Sequence, residues 1–274
     1  MKKEDKIRTV FTQYGITECG FARFSDVLPL LECRAKARLP EQSETVIVCL
    51  FPYYVDCCPK RNLSRYAIVE DYHLVAMELL NRVCGELREL FPRAVFEAFA
   101  DNSPVREVTA AVRAGLGVRG KNHLLIHPKY GSYVFIGEIV TDLRLESSAE
   151  EGHCIGCGKC IEACPGGAIT ETGIARECCL SCLTQKKGSL SETEAALIKQ
   201  GGLLWGCDRC QEVCPYNRKL LETPIAAFRE GVIPWLDYDR IDELVKTRAF
   251  GFRGSGVLKR NYEILYGTPE QNLP

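Results

Sequence analysis

The chain lacks the features of a membrane-embedded, exported or strongly basic protein. None of its 274 residues lies in an apolar run near the roughly 18 residues that a membrane-spanning helix requires. The N-terminal segment MKKEDKIRTV is charged and has no apolar stretch of the kind found in signal peptides. The net charge of −1 gives no global positive field that would attract nucleic acid or an anionic membrane. We expect a cytoplasmic monomer without a membrane partner, in which nucleic acid could bind only through a local basic patch.

Histidine is also scarce, with four residues in the whole chain. They are His73, His123, His127 and His153. Asp71 and His73 stand at the predicted start of a long helix, where a solvated pair is the ordinary interpretation. The same two residues form half of the Asp-x-His-x-x-Gly motif of some cobalamin enzymes, although Ala76 replaces the glycine.

Cysteine, by contrast, is abundant, and its 16 residues are unevenly distributed. Ten lie between Cys154 and Cys214, several in short spacings typical of metal ligands. Because nothing indicates export, we expect reduced thiols, and clustered cysteines are then metal ligands rather than disulfides. The other six have no such spacing and are predicted to be small core residues or inert thiols. These are Cys19, Cys33, Cys49, Cys57, Cys58 and Cys84.

The first cysteine run, CIGCGKCIEACP, has the C-x2-C-x2-C-x3-C-P spacing of bacterial ferredoxins. Its predicted ligands are Cys154, Cys157, Cys160 and Cys164. The first three thiols can reach three irons of one 4Fe–4S cube because two residues separate each neighbouring pair. Gly156 and Gly158 let the backbone wrap closely and leave amide groups free to hydrogen-bond the sulfurs. The fourth thiol is expected to bind the other cluster.

The second run, CDRCQEVCP, repeats this scheme with one thiol fewer. It supplies Cys207, Cys210 and Cys214. Two cubes need eight thiolates and the runs supply seven, so the eighth must come from Cys178, Cys179 or Cys182. Crossed ligation then places the thiols of 154, 157, 160 and 214 on one cluster, and those of 164, 207, 210 and the intervening residue on the other. Zinc sites are the alternative, but zinc ligands usually come as separated pairs.

The remaining sequence predicts an α+β protein in three parts. Residues 1–148 alternate helix-like and strand-like segments and are expected to form a domain with a mixed sheet. Residues 149–218 hold the cysteine runs, and residues 219–274 show short helical patterns. The polar segment Leu145–His153 is the predicted linker between the first two parts.

Periodicity predicts the main elements of the first part. A buried strand is expected over Thr45–Tyr54, and an amphipathic helix over Asp71–Phe91. A short strand over Ala94–Ala100 is followed by a helix over Val105–Leu116. The segments HLLIHP and SYVFIGEIVTDL flank the turn KYGS and are predicted to pair as a hairpin.

Asp101 is the candidate catalytic acid. It follows a predicted strand and precedes a predicted helix, which is where α/β folds place catalytic groups. The alternative is a helix-capping role, which Asn102 or Ser103 would fill equally well. The nearby glycine-rich loop Gly115–His123 could cradle a phosphate or the amide edge of a cofactor, but it lacks the spacing of nucleotide-binding loops.

From about Gly20 to Lys259, the chain resembles the epoxyqueuosine reductases, cobalamin-dependent iron–sulfur enzymes of tRNA modification that are related to the reductive dehalogenases. The resemblance rests on RYAIVEDYH, FADNSP, RAGLGVRGKNHLLIHPKYGSYVFIGEIVTDL, CLSCLT, FRGS and both cysteine runs. It implies a cobalamin-binding domain over 1–148, a ferredoxin-like domain with two 4Fe–4S clusters over 149–218, and a helical extension over 219–274. It also implies that Asp101 is the proton donor and Cys179 the eighth cluster ligand.

The resemblance further implies a set of cobalamin-binding residues around the corrin ring. They are Tyr66, Asp71, His73, Gly117, Lys121, Asn122, Ile126, His127 and Tyr130. The chain departs from the family where it would face the substrate, since Val108 replaces the usual arginine and Val118 the usual tryptophan. Many members also carry C-terminal helical repeats that hold tRNA, and we expect none after FRGS.

These features predict a cobalamin-dependent oxidoreductase that reduces the epoxide of epoxyqueuosine in tRNA, giving queuosine. An external donor such as a flavodoxin or ferredoxin would reduce the clusters. Asp101, with a pKa raised by burial, would protonate the leaving oxygen. Two alternatives stay open: a paralogous, dehalogenase-like reductase acting on a small molecule, and a non-catalytic electron-transfer or corrinoid-handling protein.

Overall fold

A four-stranded antiparallel sheet lies at the centre of the computed structural model, which describes residues 1–147 and 152–268. The described residues contain six strands, of which four form this sheet. They are β1 (Cys19–Arg23), β2 (Thr45–Pro52), β3 (Phe96–Ala100), β4 (Val118–Arg119), β5 (Leu125–Ile126) and β6 (Val134–Thr141). The strand order is β1-β2-β6-β3, and β4 and β5 pair separately. None of the helices in the described ranges is long and apolar enough to cross a membrane.

Helices cover both faces of this sheet. They are α1 (Lys3–Gln13), α2 (Arg65–Ile68), α3 (Tyr72–Leu90), α4 (Glu107–Arg113), α5 (Lys159–Glu162), α6 (Leu180–Leu183), α7 (Glu192–Gly201), α8 (Arg209–Glu212), α9 (Ala226–Glu230), α10 (Ile241–Leu244) and α11 (Ser255–Tyr266). Short 3-10 helices cover Phe24–Val27, Arg34–Arg38, Pro215–Asn217, Tyr238–Arg240 and Ala249–Arg253.

Strand β2 is buried along its whole length, as its continuous apolar sequence predicts. Ile47 and Phe51 belong to the core cluster that contains α1 and α3, whereas Val46 and Val48 belong to the cluster that contains α4. Because both faces are covered, the strand shows no alternation of polar and apolar residues. The predicted strand over Thr45–Tyr54 is therefore confirmed, with the observed strand two residues shorter.

The α+β class is confirmed, but the prediction of a mixed sheet is wrong. Each pairing in the central sheet, β1 with β2, β2 with β6 and β3 with β6, is antiparallel. The predicted hairpin is reduced to a single bridge between His127 and Gly131, and β6 lies between β2 and β3 instead. A strand that is apolar on both faces gains more burial in the centre of a sheet, and local sequence does not specify that choice.

Helix α3 confirms the predicted helix over Asp71–Phe91 and ends one residue short of it at each terminus. The Asp71 carboxylate caps the helix by accepting the backbone N–H of His73 at 3.0 Å. Leu80 and Leu87 lie on the buried face of the helix. The cap fixes Asp71 and His73 at the end of the sheet where β3 terminates, close to Asp101.

Helix α4 is shorter than the helix predicted over Val105–Leu116. It begins at Glu107, because the carbonyl of Pro104 accepts the N–H of Leu31 at 2.7 Å and is held outside the helix. The backbone between β3 and α4 therefore forms a loop of several residues, and this loop carries Asp101.

The six scattered cysteines have three kinds of environment, and Cys33 alone is a partly buried thiol packed against the core cluster that contains α4. Cys19, Cys49 and Cys84 are buried among apolar side chains, as expected of small core residues. The expectation of free thiols is wrong for Cys57 and Cys58, which form a disulfide between adjacent residues. Cys58 has a φ of +71°, and this turn brings the two neighbouring thiols together.

The C-terminal segment packs into the same core as the N-terminal part. Phe228 and Leu258 are fully buried in the cluster that contains α1 and α3. The Asn62 amide donates to the carbonyl of Leu236 at 3.0 Å, and the buried Asn261 donates to that of Leu204 at 2.8 Å. The predicted domain boundaries near 148 and 218 stay predictions, and part of the predicted linker lies outside the described residues.

Candidate redox and proton-transfer site

The thiols predicted to bind the first cluster line one small cavity. Its lining includes Cys154, Cys157, Cys160 and Cys214 together with Lys121, Asn122 and Ile126. Gly156 and Gly158 have φ values of +72° and +77°, the left-handed backbone that permits the tight wrap around a cube. The last cysteine of the second run thus joins the first run, as crossed ligation requires.

The remaining thiols form a second, more deeply buried group. It consists of Cys164, Cys179, Cys207 and Cys210. Burial raises the pKa of Cys210 to about 12, and the neighbouring thiolates of the other three add to that rise. Among the three candidates for the eighth ligand, Cys179 acts most strongly on both Cys207 and Cys210. This grouping matches the crossed assignment, while the individual ligand bonds stay predictions.

Two groups of four thiols supply the number of ligands that two 4Fe–4S clusters need. A cube spreads its thiolates over four separate irons, whereas a zinc ion needs four ligands within about 2.3 Å of one point. Within the described ranges, no three His, Cys, Asp or Glu side chains converge closely enough to hold a single metal ion.

Cys182 lies close to the predicted eighth ligand. The interaction of the two thiols lowers the pKa of Cys179 and raises that of Cys182.

Asp101 lies in a chain of hydrogen bonds that begins at the cap of α3. The Asp71 carboxylate is 2.7 Å from Nδ1 of His73, and Nε2 of His73 is 3.3 Å from Oδ2 of Asp101. The Asp101 backbone has a φ of +62°, and its N–H donates to Oε1 of Glu107 at 3.0 Å. Tyr72 stacks on the His73 ring at 3.9 Å. Both the side chain and the backbone of Asp101 are therefore held.

The expectation that burial raises the pKa of Asp101 is wrong. The Asp101 side chain is 59% exposed, and its hydrogen bond with His73 lowers its pKa. In return, Asp101 and then Asp71 raise the pKa of His73 to about 9. At neutral pH the proton is therefore on His73, and Asp101 is a carboxylate. The raised pKa of His73 contributes stability that is fully present below about pH 6.5 and is lost as the pH rises through about 9. The lowered pKa of Asp101 contributes stability that is present above its ordinary value of 3.8 and is lost as the pH falls below it.

One recess lies at Asp101 and a second lies beside the first thiol group. The recess at Asp101, of about 280 Å³, is also lined by Arg106 and Arg119. Arg119 also lines the second recess, of about 530 Å³, which reaches Lys121 and Cys154. We call these two recesses together the groove. The larger recess has the volume of a small-molecule site.

Six of the nine residues predicted to bind cobalamin border this region. Asp71 and His73 stand beside Asp101, and the loop from Gly117 to Ile126 borders the groove and the thiol cavity. At Gly117, a Cβ atom would lie 2.4 Å from the carbonyl oxygen of Ile126, so only glycine fits there. Nδ2 of the buried Asn122 has no hydrogen-bond partner within the described residues, and a cofactor acceptor at the thiol cavity would satisfy it.

The other three predicted contacts lie elsewhere. His127 is buried 3.2 Å from Glu18, and it stacks on Tyr130 in the turn before β6. The Tyr66 hydroxyl accepts a hydrogen bond from Gln185 beside the second thiol group. These side chains pack within the protein, and their cofactor role stays a prediction.

Sequence reasoning missed the acidic residues behind Asp101. Glu138 is fully buried on β6, and Ser103 donates its hydroxyl hydrogen to Oε2 of this carboxyl group. Glu107 holds the Asp101 backbone. The available signal was a glutamate in the middle of the apolar segment SYVFIGEIVTDL, which a surface strand would not explain.

Two protein-family models match this chain. The model described as epoxyqueuosine reductase QueG, DUF1730, matches residues 34–102. The model described as a 4Fe–4S double cluster binding domain matches residues 153–217. Together with the paired thiol groups, the second match defines an iron–sulfur protein with a double-cluster domain.

Curated relatives and solved structures make the resemblance more specific. The epoxyqueuosine reductase of Listeria monocytogenes is 41% identical over 150 residues, covering 54% of this chain and 39% of the relative. That of Cyclobacterium marinum is 34% identical over 194 residues, covering 66% and 61%. The structure of the Streptococcus thermophilus epoxyqueuosine reductase is 25% identical with a TM-score of 0.80, covering 96% of this chain and 80% of that one. The resemblance to the epoxyqueuosine reductases is confirmed, and the chain spans about 40% to 60% of the length of these two curated relatives.

Replacing Cys179 by alanine should remove one cluster, whereas Cys182→Ala and Cys178→Ala should keep both. Iron and inorganic sulfide per chain, measured on anaerobically purified protein, should give about eight iron atoms for the latter two variants and about four for Cys179→Ala. Loss of iron from Cys178→Ala or Cys182→Ala, with full occupancy in Cys179→Ala, would contradict the assignment.

Asp101→Asn should lower the pKa of His73 from about 9 toward its ordinary value, because the variant loses the carboxylate that contributes most to the rise. Nuclear magnetic resonance of protein labelled at its four histidines can follow this titration, with His73→Gln assigning the signal. The exposed Asp239, replaced by asparagine, is the matched control and should leave His73 unchanged. An equal His73 pKa in the two Asp variants would refute the ion pair.

Proposed function

We propose that this protein reduces the epoxide of epoxyqueuosine in tRNA to the alkene of queuosine. The observation that carries the proposal is the groove, whose two recesses lie at Asp101, the partner of His73, and beside the first thiol group, and share Arg119. The names of the matched relatives supply the substrate class. The proposed cofactors are two 4Fe–4S clusters and a cobalamin in the groove.

The reaction removes one oxygen atom from the epoxide as water, which consumes two electrons and two protons. When bound, the cobalamin would supply reducing power to the carbon–oxygen bond, and the clusters would provide electrons from an external donor such as a flavodoxin or ferredoxin. The protein's own side chains bind and orient the substrate and supply protons.

His73 and Asp101 are the proposed source of the first proton. His73 carries it at Nε2, 3.3 Å from Oδ2 of Asp101, and Asp71 fixes the ring through Nδ1. Asp101 stands at the mouth of the groove, where it can receive the proton and pass it to the leaving oxygen. A carboxylate paired with an imidazolium thus replaces the buried carboxylic acid expected from the sequence.

Exposed cations along the groove favour an RNA substrate. Arg106, Arg119 and Lys121 line its two recesses and are exposed, so they can contact phosphates without burial of their charges. A solved epoxyqueuosine reductase, 23% identical to this chain with a TM-score of 0.81, is described with an epoxyqueuosine-modified tRNA-Tyr stem loop. We further propose that the protein acts as a monomer in the cytoplasm.

The two alternatives receive less support. The relatives named above are named for epoxyqueuosine, which disfavours a dehalogenase-like reductase acting on a small molecule. An electron carrier or a corrinoid-handling protein would not need the hydrogen-bonded chain from Asp71 through His73 to Asp101.

Asp101→Asn should lose turnover while retaining clusters and cobalamin. The expected fall in kcat is about 10²- to 10⁴-fold, because the asparagine amide cannot relay a proton. The assay uses anaerobic holoprotein, an anticodon stem loop bearing epoxyqueuosine, and mass spectrometry of the released nucleosides. Asp239→Asn, on the surface away from the groove, is the control. A wild-type rate in Asp101→Asn would remove Asp101 from the mechanism, and no turnover by the wild-type holoprotein would remove the proposed substrate.

A further inference from the structure

Two carboxyl groups behind Asp101 have no role in the function proposed above. Glu138 lies on the central strand β6, paired with Val48 of β2 and Phe99 of β3, and it is 0% exposed. Glu107 opens α4 and lines the same recess as Asp101. An ionised carboxylate at the centre of a sheet is strongly disfavoured unless a cation or a proton neutralises it.

Both carboxyl groups are attached to the loop that carries Asp101. Oε1 of Glu107 accepts the backbone N–H of Asp101 at 3.0 Å. Ser103 donates its hydroxyl hydrogen to Oε2 of Glu138, and the Ser103 oxygen accepts the N–H of Val105 at 3.1 Å. Oε1 of Glu138 has no hydrogen-bond partner within the described ranges. Glu107 and Glu138 therefore contact the loop that carries Asp101 at two points, and Oε1 of Glu138 is buried without a hydrogen-bond partner in the part of the chain that the structure describes.

We propose that Glu107 and Glu138 hold one proton between them at neutral pH, and that it is the second of the two protons consumed by the reaction. The inference rests on the function proposed above. Both carbon–oxygen bonds of the epoxide break, a carbon–carbon double bond forms, and two electrons come from the external one-electron donor. One proton comes from His73 through Asp101, and the second comes from the carboxyl pair, so that the oxygen leaves as water.

The electrostatics of the pair support this assignment. Burial raises the pKa of Glu138 to about 7. Burial, followed by the charges of Glu138 and Asp101, raises the pKa of Glu107 well above its ordinary value, and the weaker effect of His73 lowers it. The two groups interact, so the proton is assigned to the pair and not to one of its members.

Other titratable and charged groups surround the pair on every side. They are Asp101 from the loop, His73 and Tyr72 from α3, Cys49 from β2, and Arg106 and Arg119 at the rim of the recess. Glu107 is half-buried and lines the recess, so it can regain a proton from solvent after each turnover. Glu138 is fully buried and lacks that access.

Infrared spectroscopy of the oxidised holoprotein tests for this proton without requiring turnover. The wild type should show the C=O band of a protonated carboxyl group at about pH 7, identified by its shift in D₂O, and the band should fade as the pH rises. Glu107→Gln and Glu138→Gln should each weaken the band, and the double variant should lack it. Glu138→Gln should also move the loss of the band to lower pH, because Glu107 then loses the neighbouring charge. Glu97→Gln, on the same sheet but paired with Arg38 at the surface, is the matched control.

Turnover provides the second readout. The wild-type kcat should fall as the pH rises above about 7, whereas the double variant Glu107→Gln/Glu138→Gln should be at least about tenfold slower and flatter with pH, because it has no proton to lose. Normal turnover without a protonated-carboxyl band, or a double-variant profile equal to the wild type, would overturn the inference alone. A band without turnover in any preparation would remove the proposed function, and with it the catalytic assignment of this proton.

Discussion

Each cysteine run places one thiol in the thiol group of the other run, and this exchange constrains the rest of the molecule. Cys214 of the second run lies with the first thiol group, while Cys164 of the first run lies with the second. The two segments must therefore fold against each other, and whatever touches one is fixed relative to both. Arg61 extends this constraint to the N-terminal part by pairing with the buried Asp208, which follows Cys207, at 2.8 Å. The loop from Gly117 to Ile126 borders the groove and also lines the cavity of the first thiol group, so the same contacts position the groove.

At the end of the groove away from the thiols, the carboxyl groups lie in different environments, and these differences shift their pKa values in opposite directions. Asp101 is exposed and paired with an imidazolium, so it is ionised, whereas the two glutamates behind it are buried and favour the protonated form. Neighbouring carboxyl groups with pKa values pushed apart are typical of acid–base sites. The site can then hold protons of two kinds at one pH, within a few residues of the same loop.

Local sequence was sufficient where spacing or periodicity reflects a strong local constraint. The separations within CIGCGKCIEACP and CDRCQEVCP predict the grouping of thiols because cluster geometry allows few alternatives. The apolar run of β2 and the stripe of α3 identify their elements because burial repeats with the period of the backbone. The glycines at 156 and 158 are predicted from the close wrap that the backbone must make around a cube.

Tertiary contacts decided what the sequence could not show. The direction and partners of β6 depend on burial against distant strands, and the pKa of Asp101 depends on His73, which lies 28 residues earlier in the chain. The proton-holding role inferred for Glu138 depends on its place at the centre of the sheet. The disulfide of Cys57 and Cys58 depends on an unusual backbone turn that no spacing rule indicates.

Electron paramagnetic resonance during stepwise anaerobic reduction tests the crossed arrangement most directly. Crossed ligation holds the two cubes close together, and the coupling between electron spins falls steeply with distance. The account predicts separate cluster signals at partial reduction, which broaden and split when both clusters are reduced. A fully reduced spectrum equal to the sum of two isolated clusters, or a protein containing zinc without inorganic sulfide, would contradict it.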